Sequence, residues 1–158
     1  NQKDNAPNRI ARLLEHLIFC AVAPKSVANR QTHIVSLGQT ETYAAIGQEA
    51  ARELLKEWLV YFRIGQNTPL PFFAKTSLAA AEEYNKKEDW DAALRKAHEV
   101  FNGNKMSKGQ KEYTEVKLVF GHSEESPLDE PLFENLVVNL LVPLLTSVAG
   151  KTDTTEQE

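Results

Sequence analysis

The chain has 158 residues, 42% of them hydrophobic and 25% charged, which is close to the composition of an ordinary soluble domain. At this length about two-thirds of the extended-chain surface is buried, so a single core suffices and no covalent staple is needed. One cysteine, Cys20, excludes an intramolecular disulfide and a multi-Cys zinc site, and the net charge of −4 argues against a module held to nucleic acid chiefly by phosphate neutralisation.

Residues 1–8 are polar and carry Pro7, and 152–158 are polar and acidic, so both ends, with 150–158 as the wider bound, are expected to fray. Between them, Ile10, Leu13, Leu14, Leu17 and Ile18 recur at helical spacing until Pro24, predicting a helix over about 8–22. Thr32 to Leu37, ending at Gly38, and Thr40 to Ile46, ending at Gly47, are short β-branched runs that predict a two-stranded hairpin. Such a hairpin is marginal alone and must pair further or lie on a helix.

Residues 48–64 predict an amphipathic helix with Ala51, Leu54, Leu55, Trp58, Leu59 and Phe62 on one stripe and Gly65 as a left-handed cap. Pro69 and Pro71 force the next segment, through Phe72 and Phe73, to be extended and pinned to the core. Thr76 or Ser77 then caps an Ala-rich helix to about Tyr84, and 88–101 predicts another, ended by Asn102 and Gly103. Residues 111–120 fit helix somewhat better than strand.

Asp129 is placed to cap a last helix over 130–147, with Pro131 in its first turn. That helix is apolar nearly all round, from Leu132 to Val148. Sixteen residues or so give only ~24 Å against ~30 Å of hydrocarbon, and Asn135, Asn139 and Pro143 interrupt it, so it predicts central burial or docking on another subunit.

The chemically suggestive motif is Glu115-Val116-Lys117, since Glu-x-Lys on a strand supplies a metal carboxylate and a charge-stabilising Lys in restriction-type nucleases. No further carboxylate stands at the end of an apolar strand upstream; Asp89 and Asp91 lie in a helical pattern. His16, His33, His98 and His122 fall in four elements without metal spacing, and no serine has a nucleophile-elbow context. Lys105, Lys108 and Lys111, with Gly103 and Gly109, form a small basic loop diluted by Glu112 and Glu115.

Taken in order, Leu14 to Ala21 (with its Glu15-His16-Leu17), Arg63-Ile64-Gly65, Pro69-Leu70-Pro71-Phe72-Phe73 and its continuation to Ser77, Phe101-Asn102-Gly103 and Val142-Pro143-Leu144-Leu145 resemble the carboxyl-terminal domain of RecC, the gamma subunit of exodeoxyribonuclease V. The resemblance runs from about Arg9 to Val148. It implies the C-terminal part of a degenerate PD-(D/E)xK nuclease-like domain, cut from a longer cytoplasmic subunit. Its role would be a non-catalytic scaffold and docking region in the RecBCD helicase-nuclease, acting in double-strand-break repair by homologous recombination. RecB and RecD would be the partners, and DNA would be met through the whole complex, which guides the strands and recognises Chi. No cofactor is expected in this piece, with no catalytic or metal residue of its own, while the complex uses ATP and Mg. No membrane is involved.

The fold expected is α+β, mostly helical with a small antiparallel element, in a single domain. The candidate partner-binding residues are Leu136, Leu140 and Leu144 of the last helix, with Phe72 and Phe73 next. The rival is a metal-dependent nuclease that uses Glu115 and Lys117.

Overall fold

The computed structural model describes residues 5–24, 26–36, 39–122 and 125–153. Helix α1 (Ala6–Val22) starts where Asn5 accepts a hydrogen bond from the Asn8 amide, with Pro7 tolerated in the first turn. The expected frayed start therefore already belongs to the helix from Ala6. Its far end is covered by α2 (Gln48–Gly65). Gln48 Nε2 donates to the carbonyls of Ala21 and Ala23, and Arg52 Nε donates to Ala21, satisfying acceptors that the helix leaves open.

Between these helices lies the hairpin of β1 (Thr32–Ser36) and β2 (Gln39–Tyr43), paired from Thr32↔Tyr43 to Ser36↔Gln39. Leu37 and Gly38, placed at its turn by the sequence, lie outside the described residues. Alternation is clean, as a half-buried strand requires: Glu41 and Tyr43 face inward while His33 and Val35 face out. Strand β5 (Val148–Asp153) pairs antiparallel with β2, with a bulge where Thr42 faces Gly150 and Tyr43 faces Val148. The sheet order is thus β1-β2-β5. The polar composition that predicted a frayed end gave no hint of this strand, because backbone pairing to β2, not apolar content, recruits it.

Three polar side chains fasten the sheet to the helices. Buried Glu41 takes Arg9 Nη2 at 3.6 Å and the Tyr43 hydroxyl at 3.0 Å, and Arg9 also pairs with Glu82 of α3. Buried His16 bridges both strands: Nε2 donates to the Ala44 carbonyl at 2.8 Å, so Nδ1 accepts from the Thr32 hydroxyl, also at 2.8 Å. The Tyr43 ring meets His16 edge-on, with centroids 5.5 Å apart.

Gly65 is not a left-handed cap. It is the last residue of α2, Gln66 after it is right-handed, and a Cβ on Gly65 would stand 3.1 Å from Leu70 Cδ1. That neighbour is the end of a flexible side chain, which a few tenths of an ångström of movement would clear, and Gly65 has no left-handed backbone to require glycine. The extended segment Thr68–Phe73 does turn back onto the core, with Pro71 and Phe73 buried.

Helix α3 (Ala74–Lys87) begins at Phe73, ahead of the expected caps. Ser77 works backward, its Oγ accepting from the Phe73 amide at 3.1 Å, while Gln110 Oε1 accepts from the Thr76 amide at 2.7 Å. Helix α4 (Trp90–Asn102) is capped by Asp89, and the left-handed Glu88 between the two helices reverses the chain. Ala80, Ala81, Ala93 and Ala97, all buried, let these helices pack closely. A short ribbon of β3 (Gly103–Asn104) and β4 (Ser107–Lys108) follows, then a single 3₁₀ turn (Gln110–Glu112) and α5 (Thr114–Phe120), in agreement with the helical preference of 111–120.

The last helix is one rod in three parts: α6 (Pro131–Leu136), a π turn (Val137–Leu141) and α7 (Val142–Leu145). The Val142 amide reaches back five residues to the Val137 carbonyl. Pro143 explains the widening, since it donates no N–H and its ring would press on the Asn139 carbonyl of an ordinary turn. Asp129 does not cap this rod. Its carboxylate accepts from His98 Nε2 at 2.8 Å, and Glu130 takes the cap position without a side-chain bond. Phe133, Leu136, Val137, Leu140, Leu141 and Leu144 are each at most 1% exposed, so the all-round apolar pattern is explained by a rod with neighbours on several sides.

Burial pushes the His16 pKa below 6.5, against the raising effect of the Ala44 carbonyl. The unfolded chain then binds a proton that the folded chain refuses, so this contribution is complete above about pH 6.5 and is lost as the pH falls below it. At pH 7.5 His16→Ala should cost about 2–4 kcal/mol in urea unfolding, and its deficit against the parent should narrow between pH 6.5 and 5. A deficit independent of pH would contradict a neutral, buried imidazole.

Candidate functional site: an apolar groove between α2 and the last helix

Ala51, Leu55, Trp58 and Phe62 lie on one face of α2, at the spacing that makes a core stripe. Along that face burial fades: Ala51 is fully buried, Leu55 and Trp58 are half-buried, and Phe62 is 64% exposed. The helix runs past the body it packs on. Leu59, Val60 and Ile64 are also exposed, so the outer half of α2 holds apolar side chains in water around most of its circumference.

The free end of the stripe borders a groove of about 290 Å³. Trp58, Tyr61, Phe62 and Gly65 of α2 form one side, Leu70 and Phe72 of the extended segment another, and the buried Leu136 and Leu140 of the last helix its base. Trp58 and Phe72 meet edge-to-face, with centroids 5.9 Å apart, which fixes the two walls relative to each other. The lining carries no charged side chain, and its polar side-chain groups are the Tyr61 hydroxyl, the Gln66 amide and the Trp58 indole N–H, which is buried without a hydrogen-bond partner among the described residues. Such a surface can bury an apolar side chain or helix face and supplies no acid, base or nucleophile.

Of the five candidate residues, the structure brings Leu136, Leu140 and Phe72 together at this groove. Leu144 and Phe73 are placed elsewhere: both belong to the main core, where the Phe73 ring meets Phe101 at a tilt and Phe120 edge-on, with centroids 4.8 and 5.4 Å away. The sequence places Trp58 and Phe62 on one apolar stripe of the helix but does not mark them as site residues, so the α2 wall is missed. The signal was present in Val60 and Ile64, which lie off the stripe and make the second half of the helix apolar on more than one face.

Glu115 and Lys117 sit on α5, where residues two apart point to nearly opposite sides, unlike the shared face of a strand. Lys117 Nζ pairs with Glu112 at 2.7 Å, and that hydrogen bond holds the Glu112 carboxyl below its ordinary range. The histidines remain apart, with His16 in the core, His33 on Thr42 Oγ1 at 3.0 Å, and His98 on Asp129. Among the described residues no three His, Cys, Asp or Glu side chains converge as metal ligands do, and no helix is long and apolar enough to cross a membrane.

Residues 2–85 match the family described as the RecC C-terminal domain, a span that includes the whole of α2 and the extended segment. No curated protein matches the chain.

Rim and base of the groove should respond differently to truncation. Leu140→Ala, at a fully packed position, should lower unfolding stability by about 2–4 kcal/mol, whereas Phe62→Ala should change it by less than about 0.5 kcal/mol. Urea titration of the two variants checks this; a large loss at Phe62 would mean that its face is already covered in the isolated chain.

Proposed function

The chain belongs to the RecC C-terminal domain family, and from that premise we propose that it is a non-catalytic docking region of the RecC subunit in the RecBCD helicase-nuclease. The observation that carries the reading is the uncovered end of the α2 stripe beside the apolar groove. Water-exposed apolar area on this scale favours association, because burying one Leu- or Phe-sized side chain contributes about 1.5–3 kcal/mol. RecB and RecD are the proposed partners. Phe62 is the proposed anchor with Phe72 beside it, while the buried Leu136 and Leu140 form the floor beneath them and Leu144 and Phe73 support that floor from the core.

On this reading ATP hydrolysis, Mg-dependent cleavage, strand guidance and Chi recognition are properties of the whole cytoplasmic complex acting in recombinational repair. A nuclease-like ancestry for the fold belongs to the same proposal. The rival, a nuclease built on Glu115 and Lys117, draws no support from a helix that separates the two side chains and an ion pair that occupies the lysine.

Alanine at a true anchor costs an interface about 2 kcal/mol or more, close to thirtyfold in affinity. Phe62→Ala, introduced into the full RecC chain, should therefore weaken assembly with RecB and RecD by about that factor in sedimentation or titration measurements. Assembly equal to the parent's would sink the docking reading.

A further inference from the structure

A cleft of about 300 Å³, sharing no residue with the α2 groove, opens where the end of α4, the 3₁₀ turn, α5 and the approach to the last helix meet. Buried Phe101 and Pro127, with half-buried Val116 and Phe120, give it an apolar floor. Exposed Lys111 and Asn102 stand at its rim. Neither the ammonium of the one nor the side-chain amide of the other has a hydrogen-bond or ion-pair partner among the described residues.

The walls are fixed by bonds that leave those two groups unused. Gly109 seats the 3₁₀ turn against α4 so closely that a Cβ there would lie 2.3 Å from the Phe101 carbonyl oxygen. Gln110 Oε1 accepts from the Thr76 amide of α3 at 2.7 Å, and Glu112 holds Lys117 of α5 at 2.7 Å. Opposite the turn, His98 of α4 holds Asp129 at 2.8 Å. Ser126 beside it accepts from the Leu128 amide through its hydroxyl and from the Asp129 amide through its carbonyl. Lys111 therefore sits on a preorganised turn at the mouth of an apolar hollow.

Charge limits what can enter. Glu125 also lines the cleft, and Glu112 already neutralises Lys117, so Lys111 is the lysine left for a ligand. A polyanion needs a run of cations and would meet both glutamates. A lone carboxylate next to an apolar side chain needs one cation, one further donor and one hollow, and Lys111, Asn102 and the floor supply that set. A polypeptide presents this pair of groups at its own C-terminus when its last residue is apolar. We propose that the cleft captures the C-terminus of another polypeptide whose last residue is large and apolar. The α-carboxylate lies at Lys111 and Asn102, and the side chain rests on Phe101 and Phe120.

The test is fluorescence anisotropy of the full subunit with a fluorescein-labelled Gly/Ser peptide that ends in Leu-Phe and a free carboxylate. Amidating that terminus and replacing Lys111→Ala should each weaken binding about tenfold, and the two together should cost no more than either alone. Ending the peptide in Ala instead of Phe should weaken it at least tenfold. Lys105→Ala, outside the cleft, should bind as the parent does, and circular dichroism of both variants should match it. Absence of binding up to about 1 mM peptide, equal binding of the amidated peptide, or additive losses in the combined measurement would each overturn the proposal. So would displacement of the probe by phenylacetate or by oligo-dT at lower concentration than by the unlabelled peptide, since the site would then belong to a small acid or to a polyanion.

Discussion

Everything in this fold is arranged around the burial of one short helical rod, Pro131–Leu145. It packs against α1, α2 and α3, and its Phe133, Leu136, Val137, Leu140, Leu141 and Leu144 are almost wholly removed from water while Glu134, Asn135 and Asn139 face solvent. Burying that many apolar side chains of one rod fixes where the helices that cover them must stand. Pro143 would break a regular α-helix at this place, and the π turn before it is the accommodation that keeps the rod continuous. From the rod's end the chain passes through Ser147 into β5, joining the sheet to the helical core through one short connection.

The uncovered apolar surface lies not on the rod, whose Leu136 and Leu140 are each 1% exposed, but on the outer half of α2 beside them. Helix α2 and the Pro69–Phe73 segment come close enough to make two walls but leave the groove open and Phe62 in solvent. A fold complete in itself would place polar residues there. The combination of a tightly packed base and an uncovered rim is what an interface resembles when its partner is absent, with anchoring positions preorganised and little conformational freedom left to lose. Membership in the RecC C-terminal domain family gives that geometry a natural setting in a multisubunit assembly.

Much of the fold was legible because it rests on local periodicity. Both long N-terminal helices, the hairpin, the extended Pro69–Pro71 segment and the helical character of 111–120 follow from spacing and from proline. The misjudged features depend on distant partners. Strand β5 exists because β2 offers it a pairing edge; Asp129 turns to His98 instead of capping; Ser77 and Gln110 together close the start of α3. Gly65 looked like a left-handed cap, yet it ends α2 without a left-handed backbone and Gln66 follows it in right-handed geometry. The groove was half legible. Its base was found as an excess of apolar residues on the last helix, but the α2 wall was not, since an amphipathic stripe does not reveal how far along a helix its covering extends.

The central claim is that the outer half of α2 and the groove beside it are covered when the subunit is assembled. Amide hydrogen exchange resolved over residues 58–72, compared between the free subunit and the assembled complex, tests this most directly. The account predicts slower exchange on assembly across Leu59–Gln66, with little change in the already buried rod. Equal exchange in both states over that stretch would show that the exposed face of α2 meets no partner there.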